Sequence, residues 1–194
     1  MGHLSRARAT ATVMATAGEH MTIKVDAYTA LGIARGELAR AGSLREVLEH
    51  DRALALDRVQ WHPFVGLPAS ASGMSIPIDD VLVAVGNEDP GSPVHATWHG
   101  IRLEVGPYLI EGEMPTLPGF DPGRALTRPT GEFVFLKDVS IGLRDDPAAT
   151  PAHVGDHGLV NRYGVESVEC DLMLGFFFPG AEMIQADVAE TGTP

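Results

Sequence analysis

Histidine is the residue type in this sequence best placed to do chemistry, because imidazole titrates near neutrality and is the commonest neutral metal ligand. Four of the eight histidines fall in two pairs spaced by four: His95 with His99, and His153 with His157, the second pair with Asp156 beside it. An i, i+4 pair shares one face of a helix or a strand, so each pair can offer two ligands to zinc, iron or nickel. Against this, neither pair lies in an evident helix and there is no His-Glu-x-x-His motif. Histidines of solvated loops or strand edges are therefore the competing reading.

Other chemistries find less support. Cys170 is the only cysteine, which removes any intrachain disulfide framework, and its neighbours Glu169 and Asp171 oppose thiolate formation. Ser70-Ala71-Ser72-Gly73 lacks the strand-turn-helix setting that exposes a serine nucleophile. No glycine cluster joins a strand to a helix in a phosphate-binding fingerprint. The acidic groups Asp79-Asp80, Asp145-Asp146 and Glu166/Glu169/Asp171 have no EF-hand spacing and read as a solvated face. With 26 Asp+Glu against 14 Lys+Arg the formal charge is −12, and no Lys/Arg cluster is present to track a nucleic-acid backbone. The residues thus point away from an enzyme, and no cofactor is expected.

The tail gives a different signal. Leu172-Met173-Leu174-Gly175-Phe176-Phe177-Phe178-Pro179 gathers three of the seven Phe into one run. Consecutive aromatics cannot all face one side of a single strand, so Phe176, Phe177 and Phe178 are candidates for docking on a partner or a second copy. The alternative is an arm packed on the chain's own core. No stretch of about 18 apolar residues occurs, so no membrane-spanning helix is expected.

The elements that must position these residues read as a duplication. Val25, Tyr28 and Gly32 recur as Val105, Tyr108 and Gly112 at a shift of 80. Ser43 to Leu48 answers Asp121 to Leu126 at 78, Ala55, Leu56 and Val59 answer Phe135, Leu136 and Val139 at 80, and Ile76 to Ala84 lies on Val160 to Val168 at 84. Ile23, Val25 and Ala27 alternate with polar residues, as do Ile101, Leu103 and Val105, which predicts half-buried strands. Ser43 with Glu46 is a capping box, and Asp121 with Pro122 is an N-cap followed by proline at the first helical position. Leu54 to Val59 and Phe133 to Val139 predict third strands, and Val81 to Val85 and Val165 to Cys170 closing strands. Between third and fourth strands, Trp61 to Ser75 and Gly142 to Gly158 read as long loops.

An apolar strand leading into Tyr-x-x-x-Gly, the helix Gly42 to Leu48 and a strand ending Asp57-Arg58-Val59 resemble an uncharacterised bacterial domain family. Val105-Gly106-Pro107-Tyr108, Phe133 to Val139 and Leu159-Val160-Asn161-Arg162 carry the same resemblance in the second half. It implies a structural unit and no catalytic residue. The expected fold is α+β, mainly β, with two pseudo-symmetric strand-strand-helix-strand-strand repeats sharing one core across a pseudo-twofold axis. Residues 1–20 are expected to be a disordered extension, 21–86 the first repeat, 94–170 the second, and 171–194 an apolar arm and disordered end. The expected role is a non-catalytic interaction or scaffold subunit of a cytoplasmic bacterial assembly, through a protein partner or self-association. The alternative is a small-molecule or metal-binding protein with a histidine site between the repeats.

Overall fold

Alternating apolar residues build most of this molecule as strands. The computed structural model describes residues 22–88, 95–116, 131–146, 153–172, 174 and 176–185. The N-terminal extension and the helix expected at Asp121 to Leu126 lie outside these residues. The first half runs β1 (Lys24–Thr29), β2 (Gly32–Leu38), α1 (Leu44–His50), β3 (Ala53–Pro63), β4 (Ala69–Pro77) and β5 (Val83–Gly86). The second runs β6 (Thr97–Val105), β7 (Tyr108–Thr116), β8 (Phe133–Leu143), β9 (His153–Asn161) and β10 (Val165–Cys170), with β11 (Glu182–Gln185) after it. The fold is mainly β.

The strands form one sheet in the order β11-β10-β6-β7-β8-β9-β5-β1-β2-β3-β4, antiparallel except where β11 joins β10. Each half is laid down in the same order, last strand beside first, then second, third and fourth. The halves therefore meet through unlike edges, β9 against β5, rather than across a twofold axis. Their ladders keep one register at fixed offsets. Val25↔Gly86 answers Ile101↔Cys170, Glu37↔Asp57 answers Glu113↔Lys137, and Trp61↔Ala69 answers Ile141↔His153. The offset is 76 along the first two strands, 80 along the third and 84 along the last two.

Each half also carries a bulge at one place. The β2–β3 register slips between Arg35 and Glu37, and the β7–β8 register between Glu111 and Glu113. Arg58 and Asp138 sit opposite with φ of 52° and 50°. Gly36 and Gly112 are required there by close approach, since an added Cβ would lie 2.9 Å from the Asp57 carbonyl oxygen and 3.0 Å from that of Lys137.

Several expectations change. The stretches Trp61 to Ser75 and Gly142 to Gly158 are not simple loops, for β3 and β4 form a long hairpin through them, and β8 and β9 continue to Leu143 and from His153. Ala69 to Gly73 of β4 are exposed on both faces, so this part of the strand is held by its ladder to β3 and shows no apolar alternation, whereas Met74 and Ile76 turn toward the core. Tyr28 and Tyr108 do not occupy equivalent ladder positions, which lie 76 apart along the first two strands of the two halves. Nor is there one shared core. Buried side chains form two clusters on opposite faces of the central strands: Val83 and Val160 belong to one, Ala84 and Leu159 to the other. The second cluster is closed by Leu44, Val47 and Leu48 of α1, whose capping box is formed as expected. The first is closed by Leu174 and Phe178.

Tyr28 and Tyr108 touch instead, ring edge to ring face, with centroids 5.3 Å apart. The Tyr108 hydroxyl is shared between the carbonyls of Thr29 at 2.9 Å and Gly32 at 3.2 Å. The buried Tyr28 hydroxyl has no hydrogen-bond partner among the described residues. Burial raises the pKa of both phenols, so both stay neutral. Tyr108→Phe should therefore cost about 0.5–1.5 kcal/mol in a urea titration, whereas Tyr28→Phe should leave stability unchanged or raise it.

Candidate functional site

The two halves part where β5 ends, and the parting leaves a notch. The β5–β9 ladder consists of Val83↔Val160 and Ala84↔Leu159 alone, while β9 continues alongside β8 back to His153. Asn87 turns away to accept a hydrogen bond from the Lys24 amide at 2.8 Å, and the Glu88 carboxylate accepts from the Leu44 amide at the start of α1. The resulting cavity, about 630 Å³, is lined by Lys24 and Asp26 from β1, Glu88, and His153, Asp156 and His157 from β9.

His153 and His157 share a face, as their spacing on a strand requires. Gly155 lies between them, and a Cβ there would fall 2.3 Å from His153 Nε2, so only glycine lets the imidazole lie in this position. That Nε2 is buried without a hydrogen-bond partner among the described residues. Burial lowers the His153 pKa, and Arg35 and His157 add to the effect while Asp26 opposes it. Asp26 is itself paired with Arg35 at 3.3 Å. The His157 ring stacks on Phe135 at 6.3 Å between centroids. The notch thus presents a neutral imidazole among acidic and basic groups, suited to a small polar ligand. No three His, Cys, Asp or Glu side chains come together to hold a metal ion among the described residues.

The other predicted residues lie apart from this cavity. His95 precedes β6 with φ of 67°. His99, on β6, places Nε2 3.0 Å from Thr116 Oγ1 and Nδ1 3.8 Å from Asp171. The tail divides: Phe178 is fully buried in the chain's own core, which corrects its assignment as a partner contact, while Phe176 and Phe177 are half-buried with their rings 4.4 Å apart. Cys170 is buried, and burial is the main cause that raises its thiol pKa.

A second surface escaped the sequence reading. At the tip of the β3–β4 hairpin, Val65 and Leu67 are 92% and 87% exposed, with Phe64 partly exposed beside them. Leu31, also exposed, joins them where the Phe64 amide donates to its carbonyl at 3.0 Å. Phe64 leans on Tyr108, with ring centroids 5.7 Å apart. The tip continues into β4, whose outer edge pairs with no strand among the described residues. The signal for this surface was in the sequence: Val59 to Ile78 contains no Lys, Arg, Asp or Glu, in a chain of charge −12.

The pH dependence of the notch has a definite sign. A folded-state pKa held below the unfolded value of about 6.5 means that the unfolded chain takes up the proton first, so His153 lowers stability as pH falls through 6.5 and below. His153→Gln should flatten that part of a stability-versus-pH curve measured by thermal melting. An unchanged slope would show that the imidazole is solvated in the folded protein. In comparisons with known proteins, no family model, no curated protein and no solved structure matches this chain.

Proposed function

We propose that this chain is a non-catalytic interaction subunit of a larger assembly, built from two copies of one five-stranded unit. The duplication is supported by the common strand order, by ladders in register at offsets of 76, 80 and 84, and by bulges at Arg58 and Asp138. The observation that carries the interaction reading is the uncharged surface of the β3–β4 hairpin. Exposed Val65 and Leu67 serve no purpose in the chain's own core, and clustered apolar side chains beside an open strand edge are what a protein partner covers. The dominant acidity elsewhere disfavours non-specific association and so directs partners to this hairpin.

A second reading rests on the notch, where His153 lies over Gly155 in a cavity between the two halves. It makes the chain a binder of small polar molecules, and it is the weaker reading because Asn87 and Glu88 are already engaged by the fold.

One affinity-capture experiment separates the two. The tagged full chain, a Val65→Ser/Leu67→Ser variant and His153→Gln are compared for recovery of the same protein partner. Both serine positions are solvent-facing, so the melting temperature should hold. The interaction reading expects recovery to fall at least about tenfold, the equivalent of roughly 1.4 kcal/mol, in the serine variant and to persist in His153→Gln. Equal recovery by all three chains refutes it.

A further inference from the structure

The open edge of β4 has a defined complement. Ala69 to Gly73 are exposed, and the β3–β4 register runs without a slip from Ala53↔Pro77 to Trp61↔Ala69. Soluble proteins blunt such edges with lysine, proline or a bulge. Between Ala69 and Ile76 this strand carries none of the three.

The position of β4 in its half is that of β9 in the other, by order and by register. The β9 edge is occupied: it holds β5 as an antiparallel neighbour. The far end of the sheet is closed differently, since β11 covers β10 from Ser167↔Glu182 to Cys170↔Gln185. A second copy therefore cannot add its β10 to β4. The two outermost strands are β11, four residues long, and β4, nine residues long, so the longest ladder two copies can share is β4 against β4, antiparallel about a twofold axis, which closes the assembly at two chains.

Charge selects the same pairing. Two chains of −12 repel wherever carboxylates face each other, yet Val59 to Ile78 brings none to the contact. The small Ala and Ser side chains let two edges approach over their full length. An antiparallel arrangement also sets the Phe64 to Leu67 tip of each copy beside the Ile76 end of its partner's β4, covering apolar groups otherwise left in water.

We propose that this protein forms a twofold dimer in which the β4 edges pair antiparallel and join two sheets into one. The proposal rests on the reading of this hairpin as an interaction surface, and names its occupant. The test compares the full chain with Ser70→Lys/Ser72→Lys, which sets four lysines on one face of the paired strands where like charges oppose pairing. Light scattering after size exclusion should give twice the 20.6 kDa chain mass for the natural sequence and a single chain mass for the variant, with melting of the isolated chain preserved. Amide exchange should show β4 protected only in the natural sequence, with protection lost on dilution. A natural chain that stays at single mass throughout the micromolar range, or a dimer that survives the lysines, overturns the proposal. A monomer whose partner capture still depends on Val65 and Leu67 overturns self-pairing alone. A dimer broken by the lysines, with capture indifferent to the serine variant, overturns the partner reading alone.

Discussion

Two residue pairs hold this molecule together as one sheet. Among the described residues Val83↔Val160 and Ala84↔Leu159 are the whole ladder between the halves, and their side chains alternate between two cores. Because successive residues on a strand point to opposite faces, a one-residue slip would send both seam residues of the slipped strand into the wrong cluster. The seam is reinforced outside the ladder. The Asn161 amide donates to the Leu82 carbonyl at 2.9 Å, the Asn161 side chain reaches the Val81 carbonyl at 3.3 Å, and Tyr108 crosses from one half to the backbone of the other. These polar bonds lie among buried groups, where an unmade hydrogen bond is costly, so they specify the register more sharply than apolar contact alone.

Each face of the central strands needs its own lid, because each carries an apolar cluster drawn from both halves that must be buried against another element. On one face that element is α1, begun by a capping box and set down through Leu44, Val47 and Leu48. On the other, among the described residues, it is the tail, through Leu174 and Phe178. The run of three phenylalanines is thus divided by geometry. Its last ring fills a core, while the two before it remain partly in water.

Much of this was legible in the sequence, and what was missed has physical causes. The capping box at Ser43 and the closing strands β5 and β10 followed from local chemistry. Under the proposed duplication, ladder positions lie 80 apart along the third strands and 84 apart along the last two, the spacings of the third and last sequence matches. Along the first two strands they lie 76 apart, which separates Tyr28 from Tyr108. Val25, Tyr28 and Gly32 do recur at 80, but burial on both faces near the seam makes Tyr28 core on the face opposite Val25 and Ala27, so side-chain type misreports the register. The β3–β4 hairpin was hidden for the opposite reason: from Ala69 to Gly73 neither face of β4 is buried, and nothing in that Ala-Ser-Ala-Ser-Gly run distinguishes strand from loop.

The notch follows from a competition for the end of β5. Continuing the antiparallel ladder would bring Val85, Gly86 and Asn87 opposite Gly158, His157 and Asp156. Instead Asn87 and Glu88 are drawn to the other side, one to the start of β1 and the other to the start of α1. An unsatisfied helix N-terminus binds a carboxylate well, and Glu88 adds its charge where Ser43 and Glu46 have already used their own groups. Beyond Ala84 the stretch of β9 bearing His153, Gly155 and His157 pairs with β8 alone, and Glu88 both lines the cavity beside it and accepts the Leu44 amide at the start of α1.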